Sequence, residues 1–500
     1  MGKAIDQLRE QMAEVADLEA VSAVLDWDHQ TYMPPGAAEA RAQQMATLDR
    51  LAHQKLTSDT IGELLQAAQS EVEGRDPDSN EARLVKVTQR DYDRQRRVPS
   101  RWVAEFSRTT ALAHQTWQEA RRTSNFALFE PSLERIVGLR REYASFFEPY
   151  DSIYDPLFQA FEPGMKTAQV RAVFEELRPA LVGLVRRIAE RADRVDDSFL
   201  RGEFEDAPQW EFGLEVLRRM GYDFQRGRED RSAHPFTTSF SNDDVRITTR
   251  VERTLLSSAL FSSIHEGGHA LYDQGVDPAL QRSPLAGGAS LGLHESQSRL
   301  WENLVGRSRP FWKFFFPRLK ERFAQLSKVS LEDFYRGVNR VRPSLIRVDA
   351  DEVTYNLHIM VRFDLEQGLL EGKLRVKDLP QAWNQKMDEY VGIVPPNDAQ
   401  GVLQDVHWSG GMIGYFPTYT LGNLIAVELF QKALQDCPQI WSEMEQGKFD
   451  SLLHWLRGHV HVFGRKFDPL EILQRATGQE LSAQPYLGYL QEKYGEIYGL

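Results

Sequence analysis

The stretch from Thr254 to Gly275, TLLSSALFSSIHEGGHALYDQG, constrains the fold of this 500-residue chain more than any other. Its apolar residues recur at three- to four-residue spacing, at Leu256, Leu260, Ile264 and Leu271. This spacing predicts an α-helix with one buried stripe, which ends at Gly275. Gly267 and Gly268 each cost about 1 kcal/mol relative to alanine inside a helix. We therefore expect another segment to approach the helix backbone closely at these glycines.

The same stretch carries an HExxH pattern. On a helix, His265 and His269 lie one turn apart on a common face, so two imidazoles can bind one metal ion. Glu266 projects about a quarter-turn away, where it can reach a water at the metal without being a ligand. This is the arrangement that a zinc hydrolase needs from its general base. The alternative is that both histidines only pack or face water.

Composition and charge exclude several classes of protein. Hydrophobic residues make up 41% of the chain and aromatic residues 11%, which is enough for a large core. The net charge of −13 disfavours nucleic acid or an anionic membrane as a partner. Cys437 is the only cysteine, so an internal disulfide is impossible and a reducing compartment is expected. The start lacks the apolar core of a signal peptide, and a run of eighteen apolar residues is absent, so we expect a soluble, intracellular protein.

The rest of the chain predicts a mainly α fold. Helical periodicity runs from Ala4 to about Ala67, resumes to about Phe147, and returns from Thr167 to Leu200. Residues 234–251 differ, because apolar and polar residues alternate on both sides of a Ser-Asn-Asp turn, which predicts a β-hairpin. Such a hairpin either lends its outer edge to an extended peptide or is only structural.

A second helix, from about Leu291 to Val305, carries two acids that face the same way, Glu295 and Glu302. A zinc helix of the HExxH type needs a third protein ligand downstream, and an acid on a returning helix provides one. We predict Glu295 as that ligand. We place Glu302 behind it, where it can hold the ring N–H of a ligand or a neighbouring arginine.

Two later stretches concentrate polar side chains. We predict a helix capped by Ser344 and containing IRVDADEVTYNLHIM, on which Arg347, Asp351 and Tyr355 share a face. The following stretch GVLQDVHWSGGMIGYFPTYTLGN places polar side chains beside glycines and aromatic residues. His459 and His461 are two apart, a spacing that does not suit a helical pair of ligands.

Seven motifs, in order along the chain, resemble those of the carboxypeptidase Taq family of HExxH metallocarboxypeptidases. They are WDHQTYMP from Trp27, HPF from His234, DVRIT from Asp244, IHEGGHALYDQG from Ile264, HESQSR from His294, IRVDAD from Ile346 and GVLQDVHW from Gly401. Together they span nearly the whole chain. None departs from the family pattern in a way that indicates an inactive enzyme.

The resemblance implies a fold like that of neurolysin and angiotensin-converting enzyme, a large helical protein with a deep substrate groove and a small β-hairpin beside the zinc helix. It implies a single peptidase unit over residues 1–500, with two helical lobes flanking the groove. Within this unit we expect a mostly helical part to about residue 230, the hairpin at 234–251, and zinc-site and groove-lining helices at 254–500. Family members are cytosolic and commonly homodimers.

The implied activity is removal of single residues from the C-termini of peptides, with broad preference. Zinc is the usual metal, and cobalt often supports activity. The resemblance and the helix geometry agree on His265, His269 and Glu295 as ligands, which leave a fourth position for water. Glu266 is then the general base that later returns the proton to the leaving amine.

Further roles follow from the resemblance. His407 matches the family residue that can donate to the tetrahedral oxyanion, with Tyr415 or Tyr419 as a second donor. Either tyrosine can instead be an ordinary buried residue with a satisfied hydroxyl.

An exopeptidase must also recognise a free C-terminal carboxylate, which a guanidinium does by bidentate pairing. Arg347 is the first candidate and Arg246 of the hairpin the second, with Gln404 as a further substrate-binding residue. The alternative for Arg347 is an intrahelical salt bridge with Asp351.

Two other functions remain open from the sequence. The first is a zinc oligopeptidase or dipeptidyl carboxypeptidase that uses the same metal chemistry. The second, from another class, is a non-catalytic helical peptide-binding protein with a relic metal site. Cleavage of C-terminally amidated peptides separates the first from an exopeptidase, and replacement of Glu266 tests the second.

Overall fold

The computed structural model describes residues 2–500. Its helices α1 to α20 span, in order, Lys3–Thr31, Ala38–Leu56, Asp59–Val72, Asn80–Arg97, Ser100–Thr123, Phe126–Ser145, Asp155–Phe158, Thr167–Ala189, Asp206–Met220, Leu256–Gly275, Leu291–Arg299, Arg309–Arg322, Leu331–Val338, Tyr355–Glu371, Leu379–Val391, Pro417–Asp436, Ile440–Met444, Asp450–His459, Pro469–Thr477 and Gln484–Tyr498. Strands β1 to β3 span Gly227–Arg231, Thr237–Ser241 and Asp244–Thr249. The predicted mainly α fold with a small sheet is confirmed. Within residues 2–500, none of the helices has the length and hydropathy needed to cross a membrane.

Short 3₁₀ helices and one π-helix complete the regular structure. The 3₁₀ helices are Pro35–Ala37, Ala192–Arg194, Ser198–Leu200, Pro278–Leu280, Ala324–Leu326, Arg347–Asp349, Val376–Asp378 and His461–Phe463. The π-helix, Leu300–Val305, follows α11 directly.

Contacts between Cα atoms divide the chain into two compact units. The first unit contains the chain up to Arg96, Ser198–Val338 and Leu429–Glu480. The second unit contains Arg97–Asp197, Asn339–Glu428 and Leu481–Leu500. The sheet, α10 and α11 therefore belong to the first unit, and α14 belongs to the second.

The sheet has the strand order β1-β3-β2. The predicted hairpin is present, because β2 and β3 pair antiparallel with Thr237 opposite Ile247. Strand β1, which pairs parallel to β3, was not predicted from the sequence. Its sequence GREDR is polar throughout, so the alternation that indicates a half-buried strand is lacking. Val245 and Ile247 of β3 are fully buried and anchor the sheet in the core.

Helix α10 packs against this sheet and against α9 and α11. Ile264 and Leu271 are fully buried, and each such side chain contributes about 1.5–3 kcal/mol of hydrophobic free energy. The Ser263 hydroxyl donates to the Glu229 carboxylate of β1 at 2.5 Å, which joins the helix to the sheet by a buried hydrogen bond. The two histidines of α10 are thus carried by a helix that is held on several sides.

The two glycines of α10 are contact points, as predicted. A Cβ atom on Gly267 would lie 2.5 Å from Leu217 of α9. A Cβ atom on Gly268 would lie 2.7 Å from both the Gln297 carbonyl oxygen and the Ser298 Cα of α11. Backbone atoms cannot move aside as a side chain can, so Gly268 fixes how closely α10 and α11 approach.

The predicted helix from Leu291 to Val305 needs a correction. It is α-helical only to Arg299 and continues as a π-helix, with the Gly306 N–H donating to the Trp301 carbonyl five residues earlier. Insertions of this kind frequently occur at functional sites. Glu295 and Glu302 still face the same way, as predicted, because both contact His265 and both accept a hydrogen bond from Arg299.

The helix predicted around IRVDAD starts later than expected. Arg347 lies in a 3₁₀ turn, and α14 begins only at Tyr355. The Asp351 carboxylate accepts hydrogen bonds from the Val353 and Thr354 backbone N–H groups, at 2.9 and 3.0 Å, and so caps the helix start in place of Ser344. The predicted common face of Arg347, Asp351 and Tyr355 on one helix was therefore wrong.

Candidate metal centre

Three donor atoms converge within the first unit. The Nε2 atom of His265 lies 3.7 Å from Oε2 of Glu295, and the Nε2 atom of His269 lies 3.5 Å from the same oxygen. Among residues 2–500, these three side chains are the group whose spacing suits a metal ion. The structure therefore brings together the three residues that the sequence predicted as ligands.

The donor set fits zinc. Zinc binds imidazole nitrogen and carboxylate oxygen at about 2.0–2.2 Å in tetrahedral sites, which places neighbouring donors about 3.3 Å apart. The two imidazole-to-carboxylate distances are close to this value. Three protein donors with a fourth position left open are typical of a catalytic zinc site rather than a structural one.

A carboxylate behind the first histidine fixes its orientation. Glu302 Oε2 lies 2.9 Å from Nδ1 of His265, so this nitrogen carries the proton and Nε2 is free to bind a metal. The same carboxylate accepts hydrogen bonds from Arg299 and Arg307, each at 3.2 Å. The contact predicted for Glu302 is thus present.

The second histidine is oriented by another imidazole. Nδ1 of His269 lies 2.6 Å from Nδ1 of His294, and Nε2 of His294 lies 3.0 Å from the Asp273 carboxylate. One assignment of protons satisfies both contacts. Nε2–H of His294 donates to Asp273, and Nδ1–H of His269 donates to Nδ1 of His294. The lone pair on Nε2 of His269 is then available for the metal.

Glu295 is held ionised by its surroundings. Burial alone would raise the pKa of this carboxyl, but the Arg299 guanidinium and the two imidazoles outweigh it and hold the pKa well below its ordinary value. Arg299 donates from Nε to Oε1 of Glu295 at 2.7 Å, on the oxygen that does not face the histidines. Glu295 therefore presents one charged oxygen to the metal position at neutral pH.

Glu266 lies beside this centre and is also buried. The Thr237 hydroxyl of β2 donates to its Oε2 at 2.7 Å. Because β2 is hydrogen-bonded to β3, the sheet holds the carboxylate in place from outside the helix. Thr237 was missed by the sequence analysis, since no local pattern links a strand residue to a helix 29 positions away.

We expect Glu302→Gln to lower the affinity for zinc by about 10- to 100-fold, as is usual when a group behind a ligand is changed. An amide keeps the shape but can present its NH₂ group to His265 and removes the charge that supports the ring. Competition with a chromophoric chelator measures the affinity. Glu321→Gln, an exposed acid of α12, is the matched control, and equal affinities in the two variants would contradict the role of Glu302.

The second unit contains its own buried polar cluster, centred on Asp405. Arg347 donates to Oδ1 of Asp405 from Nε and Nη2, at 3.0 and 2.9 Å, and Arg362 donates to Oδ2 from Nε at 2.7 Å. Arg347 also donates to the Tyr355 hydroxyl at 2.7 Å. The alternative of an Arg347–Asp351 salt bridge was therefore wrong, because Asp405 is the partner.

Gln404 is fully used by the chain. Its Oε1 accepts from the Arg347 backbone N–H and from Nη2 of Arg362, both at 2.8 Å. Its Nε2 donates to the Leu345 and Gln400 carbonyl groups, at 2.9 and 3.1 Å. With both lone pairs and both N–H groups engaged, the amide holds Arg347 in place.

His407, Tyr415 and Tyr419 lie together in the same unit. The His407 ring centroid is 5.3 Å from that of Tyr415 and 6.5 Å from that of Tyr419, and the two tyrosine hydroxyl oxygens are 3.5 Å apart. Burial lowers the pKa of His407 to about 4, with Arg347 contributing in the same direction. The ring is therefore neutral at pH 7, and its buried Nδ1 has no hydrogen-bond partner within residues 2–500.

Arg246 of β3 is bound to an acid on its own strand. Its Nε and Nη2 donate to the two oxygens of Asp244, both at 2.8 Å. The guanidinium also stacks on the Trp27 and Phe240 rings, at 4.4 and 4.9 Å. Asp244 thus occupies the Nε–Nη2 edge of the guanidinium.

Some contributors could have been found from spacing. Asp273 follows His269 by four residues, and Arg299 follows Glu295 by four, so each shares a helix face with a predicted ligand. His294 is next to Glu295 in the chain, but its contact with His269 depends on how α11 packs against α10. That packing is a property of the folded structure.

Comparisons with known proteins establish the class of enzyme. The model of the carboxypeptidase Taq (M32) metallopeptidase family matches residues 7–494. The chain belongs to this family. It is therefore a metallocarboxypeptidase, a hydrolase of peptide bonds.

Relatives of this M32 chain match along its whole length. It is 43% identical over 505 residues to thermostable carboxypeptidase 1 of Thermus thermophilus, covering 99% of each chain. It is 38% identical to carboxypeptidase 1 of Bacillus subtilis, covering 95% of each. The crystal structure of the M32 carboxypeptidase from Deinococcus radiodurans superposes with a TM-score of 0.97 at 44% identity, covering 100% of both chains.

Proposed function

We propose that this M32 enzyme removes single amino acids from the C-termini of peptides, with broad preference for the residue released. The observation that carries the proposal is the convergence of His265, His269 and Glu295 beside the buried carboxylate of Glu266. Membership of the M32 family and relatives that are named carboxypeptidases also support cleavage at the C-terminal end of a peptide.

We propose zinc as the metal, held by Nε2 of His265, Nε2 of His269 and Oε2 of Glu295. When bound, zinc supplies a Lewis acid that polarises a peptide carbonyl and lowers the pKa of a water molecule. Cobalt(II) takes the same nitrogen and oxygen donors and is proposed as a working substitute.

Glu266 acts as the general base. It accepts the proton of the attacking water and returns it to the leaving amine, which is the ordinary role of a positioned carboxylate. The hydrogen bond from Thr237 fixes Oε2, so that the other oxygen, Oε1, is available for the water. The proposed base is thus oriented by the sheet.

We assign the stabilisation of the tetrahedral oxyanion to His407, with Tyr415 or Tyr419 as a second donor. His407 can fill this role in its neutral form, because a neutral imidazole still carries one N–H that can donate to the oxyanion.

For the C-terminal carboxylate we keep Arg347 as the proposed partner and Arg246 as the second. Arg347 is buried and held by Asp405 and Gln404, which is the pre-ordering that a binding guanidinium requires. Arg246 is paired with Asp244 through its Nε and Nη2 atoms, stacks on Trp27 and Phe240, and is less deeply buried than Arg347, so it stays the second candidate. Gln404, proposed from sequence as a substrate contact, is better supported as the residue that orients Arg347.

The test uses one peptide with a free C-terminus and the same peptide as its C-terminal amide, digested by the zinc-loaded enzyme and followed by mass spectrometry. We expect a ladder of products shortened one residue at a time from the free peptide and at least about 10²-fold slower cleavage of the amide, since the amide lacks the charge that a guanidinium binds. Equal cleavage of both peptides, at internal bonds or two residues from the end, would identify the oligopeptidase alternative instead.

The partners and location of the enzyme follow from the same proposal. We propose peptide substrates, a homodimer and a cytoplasmic site of action, with neither nucleic acid nor membrane as a partner. The net charge of −13 supports the exclusion of polyanionic partners. Sedimentation velocity of the purified enzyme tests the dimer.

A further inference from the structure

A cavity of about 480 Å³ lies in the first unit, between α1 and β2. Its wall includes His294 and Asp273, the pair behind His269, and the β2 residues 239–241. This volume is within the range of sites that bind small molecules or parts of peptides.

Strand β2 connects the metal centre to this cavity. At one end Thr237 donates to the Glu266 carboxylate, and at the other end Ser241 lies in the cavity wall. The four residue steps between them span about 13 Å in an extended strand. Because β2 is at the edge of the sheet, an extended peptide can lie along its outer side. A peptide placed at Glu266 in this way runs into the cavity.

The positive charges of the cavity are already paired. Arg282 donates from Nε and Nη2 to the two oxygens of Asp17, at 2.9 and 2.5 Å. Arg465 donates from Nη2 to both oxygens of Asp91, at 3.2 and 3.0 Å. Glu19 also lines the cavity. Burial raises its pKa, and the positive charge that opposes this is Arg465, which is itself paired with Asp91. The cavity therefore offers a carboxyl group without a direct ion pair within residues 2–500, beside two arginines that are already bound to aspartates.

Several residues that line the cavity have short side chains. The short side chains among the lining residues are Ala16, Ala20 and Ala23 on α1 and Ala286, Gly287 and Gly288 on the loop before α11. Short side chains here keep the cavity open beside the charged group.

We propose that this cavity binds the free N-terminal ammonium of short peptide substrates, with Glu19 as its charge partner. The inference rests on the proposed function, because a carboxypeptidase places the C-terminal end of its substrate at the metal centre and leaves the amino end to extend away from it. The C-terminal carboxylate of a peptide would be repelled by Glu19, because the cavity, as far as the structure describes it, has no free cation to balance it. The N-terminal ammonium has the opposite charge and is complementary to Glu19. The length of β2 corresponds to about four residues, so peptides of about five residues reach Glu19.

The test measures KM and kcat of the zinc-loaded enzyme on peptides of about three and about five residues, each with a free or an acetylated N-terminus and a free C-terminus. We expect acetylation to raise KM of the longer peptide about three- to fivefold, the size of one partly exposed charge pair, with little change in kcat. The shorter peptide should respond much less. In Glu19→Gln the difference between free and acetylated peptides should disappear.

Glu10→Gln, on the same helix but away from the cavity, is the matched control and should keep the wild-type response. Acetylation without effect on wild type, or an effect that persists in Glu19→Gln, would overturn the proposal while leaving the carboxypeptidase activity in place. If an acetylated peptide that starts with lysine has the same low KM as the peptide with a free N-terminus, the cavity binds basic side chains and not the N-terminal ammonium. If no peptide loses its C-terminal residue, the proposed function fails as well.

Discussion

Replacing Glu266 with Gln is expected to lower kcat for peptide hydrolysis by about 10²- to 10⁴-fold, which is the usual contribution of a general base. The amide has almost the same shape, so it can keep the contact with Thr237, but it cannot accept the proton of the attacking water. Initial rates on a peptide with a free C-terminus measure the loss, and metal analysis shows that zinc is retained.

Thr237→Val provides a graded comparison for that variant. It removes the hydroxyl that orients the Glu266 carboxylate at 2.7 Å but leaves the base itself. We expect an intermediate loss, mainly in kcat, on the order of tenfold. If Glu266→Gln hydrolyses peptides as fast as wild type, Glu266 is not the base. If the wild-type protein itself does not hydrolyse peptides, a binding protein with a relic metal site is favoured.

Replacing Glu295 with Ala is expected to weaken zinc binding by more than about 10²-fold, beyond the effect expected for Glu302→Gln, because a direct ligand is lost. Two imidazoles without the carboxylate leave the metal with too few protein donors. Equilibrium dialysis against a chelator, followed by metal analysis, measures the change in affinity.

The fold should survive this substitution, because Arg299 keeps its second partner. Arg299 donates to Glu302 as well as to Glu295, so no arginine is left buried without a carboxylate. An unchanged circular dichroism spectrum together with zinc loss is the expected pair of results. A variant that retains wild-type zinc affinity would exclude Glu295 as a ligand and would undermine the metal centre described above.

The sequence could predict what depends on short spacings. The HExxH helix, the acid on the next helix and the position of Glu302 behind His265 all follow from three- and four-residue periodicity, which survives in any packed helix. The hairpin was predictable for the same reason, because alternation in β3 is local.

Features that depend on distant contacts were not predictable. Strand β1 is polar, and only its parallel pairing with β3 makes it a strand. Asp351 was assigned to a helix face, yet it caps that helix, since a side chain that accepts two backbone N–H groups competes with helix continuation. The partner of Arg347 is Asp405, 58 residues away, a separation at which spacing carries no information.

The contact at Gly268 has a consequence for how the metal is acquired. The close approach of the α10 and α11 backbones at Gly268 sets the distance between the histidine pair and Glu295. Glu302, His294 and Arg299 then orient the three side chains. We expect such a site to be preorganised, with its geometry set by the folding of the polypeptide. Loading and removal of zinc should then be reversible without unfolding, in contrast to small zinc domains whose structure forms only around the metal.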